Sequence, residues 1–306
     1  MSTPPSIFVT GGSGLLAVNW FFTKRSEYKI YLGINKREIN PTGANVVFTD
    51  FSSEAGLLIQ LQKIQPSLVI HTAGVTNVEK CENNPELAFN VNVGISSLVA
   101  KVTKVLDIPM VHISTDHLFG GSSSMLSEEE PIHAINIYGK TKALAEKAVL
   151  EINPSALIIR TNFYGWGTSY RRSFSDQIIQ SLRNLQAISL FNDVNYTPIL
   201  IENLIHTVHD LLLKKATGIY NVVSDDRVSK YEFGILIAKE FGFDETLIQK
   251  CTLQSETNLV KRPLDMSLSN SKVRELLGRN LGTVKEHLSR LKDQEINDNT
   301  KRIKLL

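Results

Sequence analysis

The fold is decided by Ile7-Phe8-Val9-Thr10-Gly11-Gly12-Ser13-Gly14-Leu15-Leu16-Ala17. Its apolar start predicts a buried strand, and the glycine-rich turn that follows opens a helix. Gly11 permits a tight turn, Gly14 lets phosphate groups approach the backbone, and the small Ala17 lets the helix pack on the sheet. The turn predicts a dinucleotide phosphate site that includes Ser13 and Leu15, although a plain strand-to-helix connection is the alternative reading.

Apolar runs and helical patterns continue to alternate after this turn. Strands are predicted at residues 29–34, 46–49, 68–71, 110–114 and 156–160. Helices are predicted at residues 15–24, 54–64, 88–106 and 138–151. Such alternation is typical of a parallel sheet covered by helices, so residues 1–162 predict an α/β, Rossmann-type, doubly wound dinucleotide-binding domain.

The pattern loosens in the second half of the chain. We expect residues 163–292 to form a smaller, interleaved substrate-binding domain, with segments such as 201–223 returning to the first domain. Residues 293–306 are polar and charged, and they show no apolar face that would dock. This tail is therefore predicted to be mobile.

Composition excludes several classes of protein. The 306 residues carry 33 Lys and Arg against 31 Asp and Glu, with no basic stripe of the kind that binds nucleic acid. Cys81 and Cys251 are too few for a disulfide framework and lack metal-ligand spacing. The start of the chain shows no signal-peptide pattern, and no apolar run is long enough for a membrane span. We therefore expect a cytoplasmic protein without bound metal.

Residues after the next strands suggest which dinucleotide binds. Lys36 and Arg37 stand where an acidic residue would hold the ribose 2′-hydroxyl of NAD, so we expect NADP(H), with NAD(H) as the alternative if both are solvated loop charges. Asp50, beside Phe51, could accept a bond from adenine or be an ordinary turn aspartate. Thr72, Ala73 and Gly74 end the fourth strand with the small residues that a cofactor requires there.

A catalytic group is predicted at the start of a later helix. Tyr138 and Lys142 are four residues apart, so they share one helix face, where an ammonium is expected to lower the pKa of the phenol. Thr115, at the end of a strand, can donate to the same substrate oxygen, and Asn92 can hold a proton-relay water. A lone Tyr-x-x-x-Lys is also a common exposed pair, so the preceding phosphate loop strengthens the assignment.

Taken together, these motifs resemble the extended short-chain dehydrogenase/reductase family, and most closely the dTDP-4-dehydrorhamnose reductases. The resemblance covers nearly the whole chain through residues 69–92, 114–119, 136–146, 159–161, 192–193, 218–221 and 262–263. It implies reduction of a 4-keto-6-deoxy nucleotide sugar by NAD(P)H for polysaccharide synthesis, with Thr115, Tyr138 and Lys142 in the catalytic positions. A homodimer is plausible for such a protein.

The resemblance also implies a set of substrate-binding residues: Thr76, Val78, Thr115, Asp116, His117, Phe163, Trp166 and Arg262. Arg262 suits the substrate diphosphate because its fork binds phosphate oxygens in pairs. Phe163 stands where the reductases have a tryptophan, and Trp166 is the candidate to compensate. Arg171 and Arg172 are weaker candidates, since a solvated basic pair is the simpler explanation.

Two features separate this chain from neighbouring functions. Nucleotide-sugar 4,6-dehydratases carry an Asp-Glu pair after the threonine, whereas this chain has Asp116 and His117, so elimination is disfavoured. His117 either touches substrate or makes a structural hydrogen bond. The glutamates linked to a magnesium-bridged dimer in some members have no counterpart at residues 17–21, so no metal is expected.

Two other functions stay open. One is a noncatalytic NADP-binding subunit of the kind that regulates methionine adenosyltransferase, which resembles these reductases. The other is a nucleotide-sugar 4-epimerase, which shares the catalytic residues but retains tightly bound NAD. Intact Thr115, Tyr138 and Lys142 argue against lost catalysis.

Overall fold

A computed structural model describes residues 4–256 and 258–306. Within them the strands are β1 Ser6–Thr10, β2 Lys29–Ile34, β3 Asn45–Phe48, β4 Leu68–His71, β5 Met110–Ile113, β6 Leu157–Arg160, β7 Phe163–Tyr164, β8 Ile188–Phe191, β9 Asn195–Tyr196, β10 Ile199–Leu200, β11 Gly218–Asn221, β12 Val228–Ser229 and β13 Ile248–Cys251. The α-helices are α1 Leu15–Lys24, α2 Glu54–Ile64, α3 Val78–Asn83, α4 Pro85–Phe89, α5 Ile95–Val105, α6 Ile137–Ile152, α7 Phe174–Arg183, α8 Ile201–Leu213, α9 Lys230–Phe241, α10 Ser271–Leu277, α11 Val284–Glu295 and α12 Asp298–Leu305.

Seven parallel strands form the central sheet in the order β11-β6-β5-β4-β1-β2-β3. The direction of winding reverses between β4 and β1, and such a switch point is where open α/β sheets bind ligands. The prediction of an α/β, Rossmann-type, doubly wound sheet is confirmed. β11 comes from the second half of the chain yet lies beside β6, while the predicted division at residue 162 stays a prediction.

Both faces of the sheet are covered by helices, which is why its strands are continuous apolar runs. On one face, α1 and α8 pack against Ile7 and Val9 of β1. On the other face, Phe8 of the same strand packs with side chains of α2, α5 and α6. These alternate residues of β1 are fully buried, so the strand belongs at the centre of the sheet.

A second core lies outside the sheet, and we use that name for the cluster built by α7, α9, α11 and the short strands that connect them. Tyr164, Tyr196 and Phe233 are its largest fully buried side chains. The Phe233 ring lies edge-on to both tyrosines, with centroids 4.8 and 5.8 Å away. This second core supports the loops that face the sheet's carboxyl edge.

The helix predicted over residues 88–106 contains an irregular turn. α4 ends at Phe89, a π-helical turn spans Asn90–Gly94, and α5 begins at Ile95. π-Turns inside helices are frequent at functional sites because the extra residue re-aims a side chain. Here the residue that is re-aimed is Asn92, which is buried.

The predicted mobile tail is wrong. α11 extends to Glu295, and α12 follows after a short turn. Ile303 of α12 is 4% exposed and joins the core that contains α1 and α8. Asn299 accepts a 2.9 Å bond from Arg25, next to the end of α1. The few apolar residues of the tail, two isoleucines and two leucines, give little helical periodicity in a polar segment, which is why the sequence did not predict docking.

The described residues include neither a membrane-spanning helix nor a cluster of metal ligands. No helix among them is long and apolar enough to cross a membrane. Within residues 4–256 and 258–306, no group of three or more His, Cys, Asp and Glu side chains has an arrangement that could hold a metal ion. Among these residues the structure therefore adds no candidate metal site to the site predicted at the carboxyl edge of the sheet.

Docking of the tail can be tested at Ile303. Ile303→Ala removes a buried side chain, so we expect the free energy of unfolding to fall by about 2–4 kcal/mol in a urea titration. Leu305→Ala is the matched control, because Leu305 lies in the same helix and is 85% exposed. If both variants are equally stable, α12 does not dock.

Candidate active site

A cleft of about 490 Å³ opens at the carboxyl ends of β1, β4 and β5. Residues from the phosphate loop, the end of β4, the end of β5 and the start of α6 line it together. The cleft residues that the sequence predicted are Gly11, Ser13, Gly14, Leu15, Thr72, Ala73, Gly74, Thr76, Asn92, Thr115, Asp116, His117, Tyr138, Lys142 and Phe163. Most of the predicted site residues are therefore close together at the switch point of the sheet.

The phosphate loop has the geometry that the glycines predicted. Gly11 has a φ of +67°, and a Cβ there would lie 2.9 Å from the backbone of Ala73. The Gly14 amide donates to the Gly11 carbonyl at 2.7 Å. No side chain caps the first turn of α1, so its free N–H groups can bind the phosphates of a dinucleotide.

The catalytic helix begins at a well-defined cap. Asn136 accepts a 2.8 Å bond from the Gly139 amide, and α6 starts at Ile137. Gly139 faces the His117 carbonyl so closely that a Cβ would collide with it. This contact brings the first turn of α6, with Tyr138, against the loop that follows β5.

Tyr138 and Lys142 are 8% and 6% exposed on the same side of α6. The Lys142 ammonium donates to the Ile113 carbonyl at 2.7 Å and lies 3.4 Å from Nε2 of His112. Burial lowers the pKa of Lys142 to about 8, and the nearby carboxylate of Glu146 opposes that shift. Lys142 is thus held against the end of β5.

The Tyr138 phenol does not have the lowered pKa that the sequence predicted. Burial raises the pKa of Tyr138, whereas the hydrogen bond with Thr115 and the positive charge of Arg171 lower it by less. The prediction that Lys142 lowers it is wrong for this structure, because the ammonium is bonded to the Ile113 carbonyl instead. The phenol is therefore neutral near pH 7 and available as a proton donor.

Thr115 and Asp116 are buried directly after β5. The Thr115 hydroxyl lies 3.3 Å from Asp116 Oδ1, and the other Asp116 oxygen accepts a 2.6 Å bond from Asn162. The ring of His117 meets the Tyr138 ring edge-on, with centroids 5.4 Å apart. Nδ1 of His117 has no partner in the part of the chain that is described, so its side chain makes no structural bond through that atom.

The Asn92 side chain uses both its N–H group and its oxygen in hydrogen bonds to neighbouring residues. Its side-chain N–H groups donate to the Val75 carbonyl and to the Thr141 hydroxyl, at 3.1 and 3.0 Å. Its oxygen accepts a 2.8 Å bond from the Val75 amide. No side-chain N–H group is left to hold the predicted relay water. The Asn92 oxygen keeps a second lone pair, so its role in holding a relay water stays a prediction. In this structure Asn92 also fixes the loop after β4 to the catalytic helix.

The cofactor residues farther from the phosphate loop are more exposed. Lys36 and Arg37 are both on the surface, and the Arg37 guanidinium lies 4.3 Å from the centre of the Tyr170 ring. The Tyr170 hydroxyl donates to the Ser13 carbonyl at 2.9 Å. This chain of contacts brings Arg37 beside the phosphate loop, where a 2′-phosphate would need it. No sequence pattern pointed to Tyr170 as part of the site.

Asp50 and Phe51 have local roles in this structure. Asp50 Oδ1 accepts bonds from the amide and hydroxyl of Ser52, at 2.9 and 2.7 Å. These bonds lower the pKa of Asp50, which is exposed. The partly buried Phe51 packs with α2 and α5 on the sheet. The turn explanation accounts for one Asp50 oxygen, and adenine binding stays a prediction.

The predicted substrate residues are distributed unevenly. Thr76 accepts a 2.9 Å bond from Arg171, which lines the cleft together with Arg172 rather than being simply solvated. Val78 is buried in a small cluster with Tyr138. Arg262 forms an ion pair with Glu79 outside the cleft lining. Of these residues, Thr76, Arg171 and Arg172 line the cleft, whereas Val78 and Arg262 do not.

Trp166 was predicted wrongly as a substrate contact. Its side chain is 3% exposed in the second core, and its ring N–H donates to the Leu291 carbonyl at 2.9 Å. The ring lies edge-on to Phe241, with centroids 6.2 Å apart. Because a buried indole needs a partner for its N–H, α11 holds Trp166 away from the cleft.

One buried network was missed by the sequence. Arg160, at the end of β6, binds Glu146 of α6 through Nε and Nη2, and the ion pair measures 2.8 Å. The Ser114 hydroxyl donates to the same carboxylate at 2.5 Å. Glu146 lies one turn beyond Lys142, so the network fixes the catalytic face of α6 to the ends of two strands. Regular four-residue spacing from Tyr138 to Glu146 was the available signal.

Comparison with known proteins gives a consistent family. A family model described as RmlD substrate binding domain matches residues 5–296. A probable low-salt glycan biosynthesis reductase from Haloferax volcanii is 32% identical over 93% of this chain and 96% of its own length. A dTDP-4-dehydrorhamnose reductase from Salmonella typhimurium is 28% identical over 62% of this chain and 65% of its own length.

Solved structures and a further relative extend this finding. The structure of a hypothetical dTDP-4-dehydrorhamnose reductase from Sulfolobus tokodaii is 28% identical, with a TM-score of 0.80 over 91% of this chain and 97% of that chain. The beta subunit of methionine adenosyltransferase 2 from Xenopus laevis is 25% identical over 88% of this chain and 81% of its own length. The relatives thus include both reductases and a subunit of another enzyme.

The buried network predicts a large effect at Glu146. Glu146→Ala leaves the guanidinium of Arg160 buried and unpaired, so the free energy of unfolding should fall by about 3–5 kcal/mol in urea. Glu151→Ala, also in α6, removes an exposed partner of Lys147 and should cost less than about 1 kcal/mol. Equal stability of the two variants would show that the network does not hold α6.

Proposed function

Because this chain belongs to the RmlD substrate binding domain family and is an oxidoreductase, we propose that it reduces a 4-keto-6-deoxy nucleotide sugar with NADPH. The proposed substrate is dTDP-4-dehydrorhamnose and the product is dTDP-rhamnose. The observation that carries this proposal is that Thr115, Tyr138 and Lys142 line the same cleft as the phosphate loop. The dTDP-4-dehydrorhamnose reductases among its relatives support the substrate.

The chemistry needs a hydride and a proton. Bound NADPH supplies the hydride for the carbonyl carbon. Tyr138 donates its phenolic proton to the carbonyl oxygen as negative charge develops there, and its raised pKa keeps that proton in place beforehand. Thr115 donates a hydrogen bond to the same oxygen. Lys142 holds its ammonium beside this pair, anchored by the Ile113 carbonyl.

The choice of NADPH rests on Arg37. Its guanidinium is packed on the Tyr170 ring, so it is positioned at little entropic cost to bind a 2′-phosphate. Lys36 adds a second positive charge on the same loop. NAD(H) remains the alternative cofactor for this cleft.

Reduction fits the site better than elimination. A 4,6-dehydratase needs a second carboxylate after Asp116, but His117 occupies that position. Burial lowers the pKa of His117, so its ring is neutral and carries no charge at neutral pH. A neutral imidazole can still bond to a sugar hydroxyl.

A regulatory role is the second candidate, and the similarity to a methionine adenosyltransferase subunit favours it. In that case the cleft would bind NADP(H) without turnover. The buried and complete set of Thr115, Tyr138 and Lys142 supports catalysis instead. We also propose a cytoplasmic location, since Cys81 and Cys251 are both free thiols. A homodimer stays a prediction.

Removal of the proton donor tests the proposal. Tyr138→Phe should lower kcat for NADPH oxidation with dTDP-4-dehydrorhamnose by about 10²–10⁴-fold, because the ring is kept and the proton is lost. NADPH binding should not change. Tyr231→Phe, at the surface of α9, is the control and should keep full activity. An active Tyr138→Phe enzyme contradicts the assigned role.

The cofactor preference is tested at Arg37. Arg37→Ala should raise the KM for NADPH by about 10-fold or more and leave the KM for NADH unchanged, because only NADPH carries the 2′-phosphate. Arg183→Ala is matched to it, since Arg183 also lies over an aromatic ring, that of Phe243, far from the cleft. If Arg37→Ala raises both KM values equally, Arg37 does not select the cofactor.

A further inference from the structure

A second cavity lies at the amino edge of the central sheet, opposite the edge that carries the catalytic cleft. Its lining includes Leu68, Met110 and Leu157, which are the first residues of β4, β5 and β6. Its volume is about 570 Å³, against about 490 Å³ for the cleft. Small-molecule sites typically measure about 300–1,000 Å³, so this space, which we call the amino-edge cavity, is large enough for a ligand.

The walls of the amino-edge cavity are more apolar than polar. The Lys24 ammonium in its lining forms an ion pair with Glu27 at 2.9 Å, and Asp210 forms one with Arg279. The other acidic and basic side chains of the lining are exposed to solvent, and they are Lys104, Asp107 and Lys215. The charges of this cavity are therefore either paired or hydrated.

One buried side chain of this lining, His209 of α8, has a defined ring tautomer. It is 8% exposed, and the indole Nε1 of Trp20 donates to its Nε2 at 3.2 Å. An indole nitrogen only donates, so Nε2 carries no proton. Burial lowers the pKa of His209 to about 4, and the positive charge of Lys24 lowers it further, so the ring is neutral near pH 7. Its single ring proton is therefore on Nδ1.

The hydrogen bonding of His209 is incomplete within residues 4–256 and 258–306. Its side chain makes one hydrogen bond there, the one from Trp20, and the Nδ1–H group has no acceptor. The rings of Trp20 and Tyr28 lie against the imidazole, with centroids 5.8 and 5.2 Å away, so packing holds its orientation. A buried donor without an acceptor costs about 1–3 kcal/mol. A ligand that brings an acceptor into the cavity would remove this cost.

We propose that the amino-edge cavity binds an uncharged, largely apolar small molecule whose carbonyl oxygen accepts a hydrogen bond from Nδ1–H of His209. The apolar walls favour an apolar ligand, because burial of apolar surface drives binding. A net charge on the ligand is disfavoured because Lys24 and Asp210 already have partners. The rings of Tyr28 and His209 suit an aromatic group next to that carbonyl. This site does not depend on the proposed reduction.

Benzophenone and diphenylmethane are matched probes for this site, since both are uncharged and only benzophenone has a carbonyl between its two phenyl rings. His209→Phe keeps an aromatic ring and removes the donor, so the Kd for benzophenone should rise by about 10-fold in titrations followed by NMR of the protein. The Kd for diphenylmethane should not change. His133→Phe, at an exposed histidine outside this lining, is the control and should bind both probes like the wild type.

A second measurement uses the wild type, because His209→Phe also leaves the Trp20 N–H group without its acceptor. Irradiated benzophenone takes a hydrogen atom from a neighbouring C–H bond, and the two carbon radicals then combine, so the bound probe labels the residues that it touches. Mass spectrometry of the digested protein should find the label in segments 67–68, 103–110 and 206–217, which line the cavity. Added NADPH should not reduce this labelling, because the cleft lies at the opposite edge of the sheet.

Three results would overturn the proposal. The first is wild-type protein that does not bind benzophenone, and the second is a label that lies in the cleft and disappears with NADPH. The third is a Kd for benzophenone that is equal in His209→Phe and wild type, or that rises equally for both probes. Each of these leaves the proposed reduction standing, because the linings of the cavity and the cleft share no residue.

Discussion

The buried ion pair between Arg160 and Glu146 is the constraint on which the active site depends. It joins the end of β6 to the middle of α6, and the Ser114 hydroxyl adds the end of β5 to the same carboxylate. Both charges are almost fully buried, so separating them would leave two unpaired charges in the protein interior at a large cost in free energy. Lys142 and Tyr138 lie one and two turns earlier on this helix, respectively. The network therefore adds to the contacts of Gly139 and Lys142 that place this face of α6 beside Thr115.

The second core completes the cleft from the other side. In the loop after β7, the Tyr170 hydroxyl donates to the Ser13 carbonyl of the phosphate loop, and Arg171 donates to Thr76. These two hydrogen bonds attach the loop to the phosphate-binding side of the cleft. These are single hydrogen bonds at the surface, each worth about 1 kcal/mol, whereas the network under α6 is buried. The cleft thus has a catalytic wall held by buried charges and an opposite wall held by single hydrogen bonds.

Much of this arrangement was predictable from local patterns. The phosphate loop, the central sheet and the spacing of Tyr138 and Lys142 depend on residues close in sequence, and the structure has them where they were expected. The errors concern partners distant in sequence. Trp166 bonds to α11, the tail docks through Ile303 and Asn299, and Lys142 bonds to a strand carbonyl instead of acting on the phenol. No periodicity records such contacts, since they are decided by packing.

In the proposed reaction, hydride passes to carbon 4 of the sugar while Tyr138 supplies the proton. This transfer is tested with NADPH that carries deuterium at the transferable position of the nicotinamide, followed by NMR of the sugar product. We expect one deuterium at carbon 4 for each NADPH oxidised. A product without deuterium at that carbon, or no product from a protein that still binds NADPH, would contradict it.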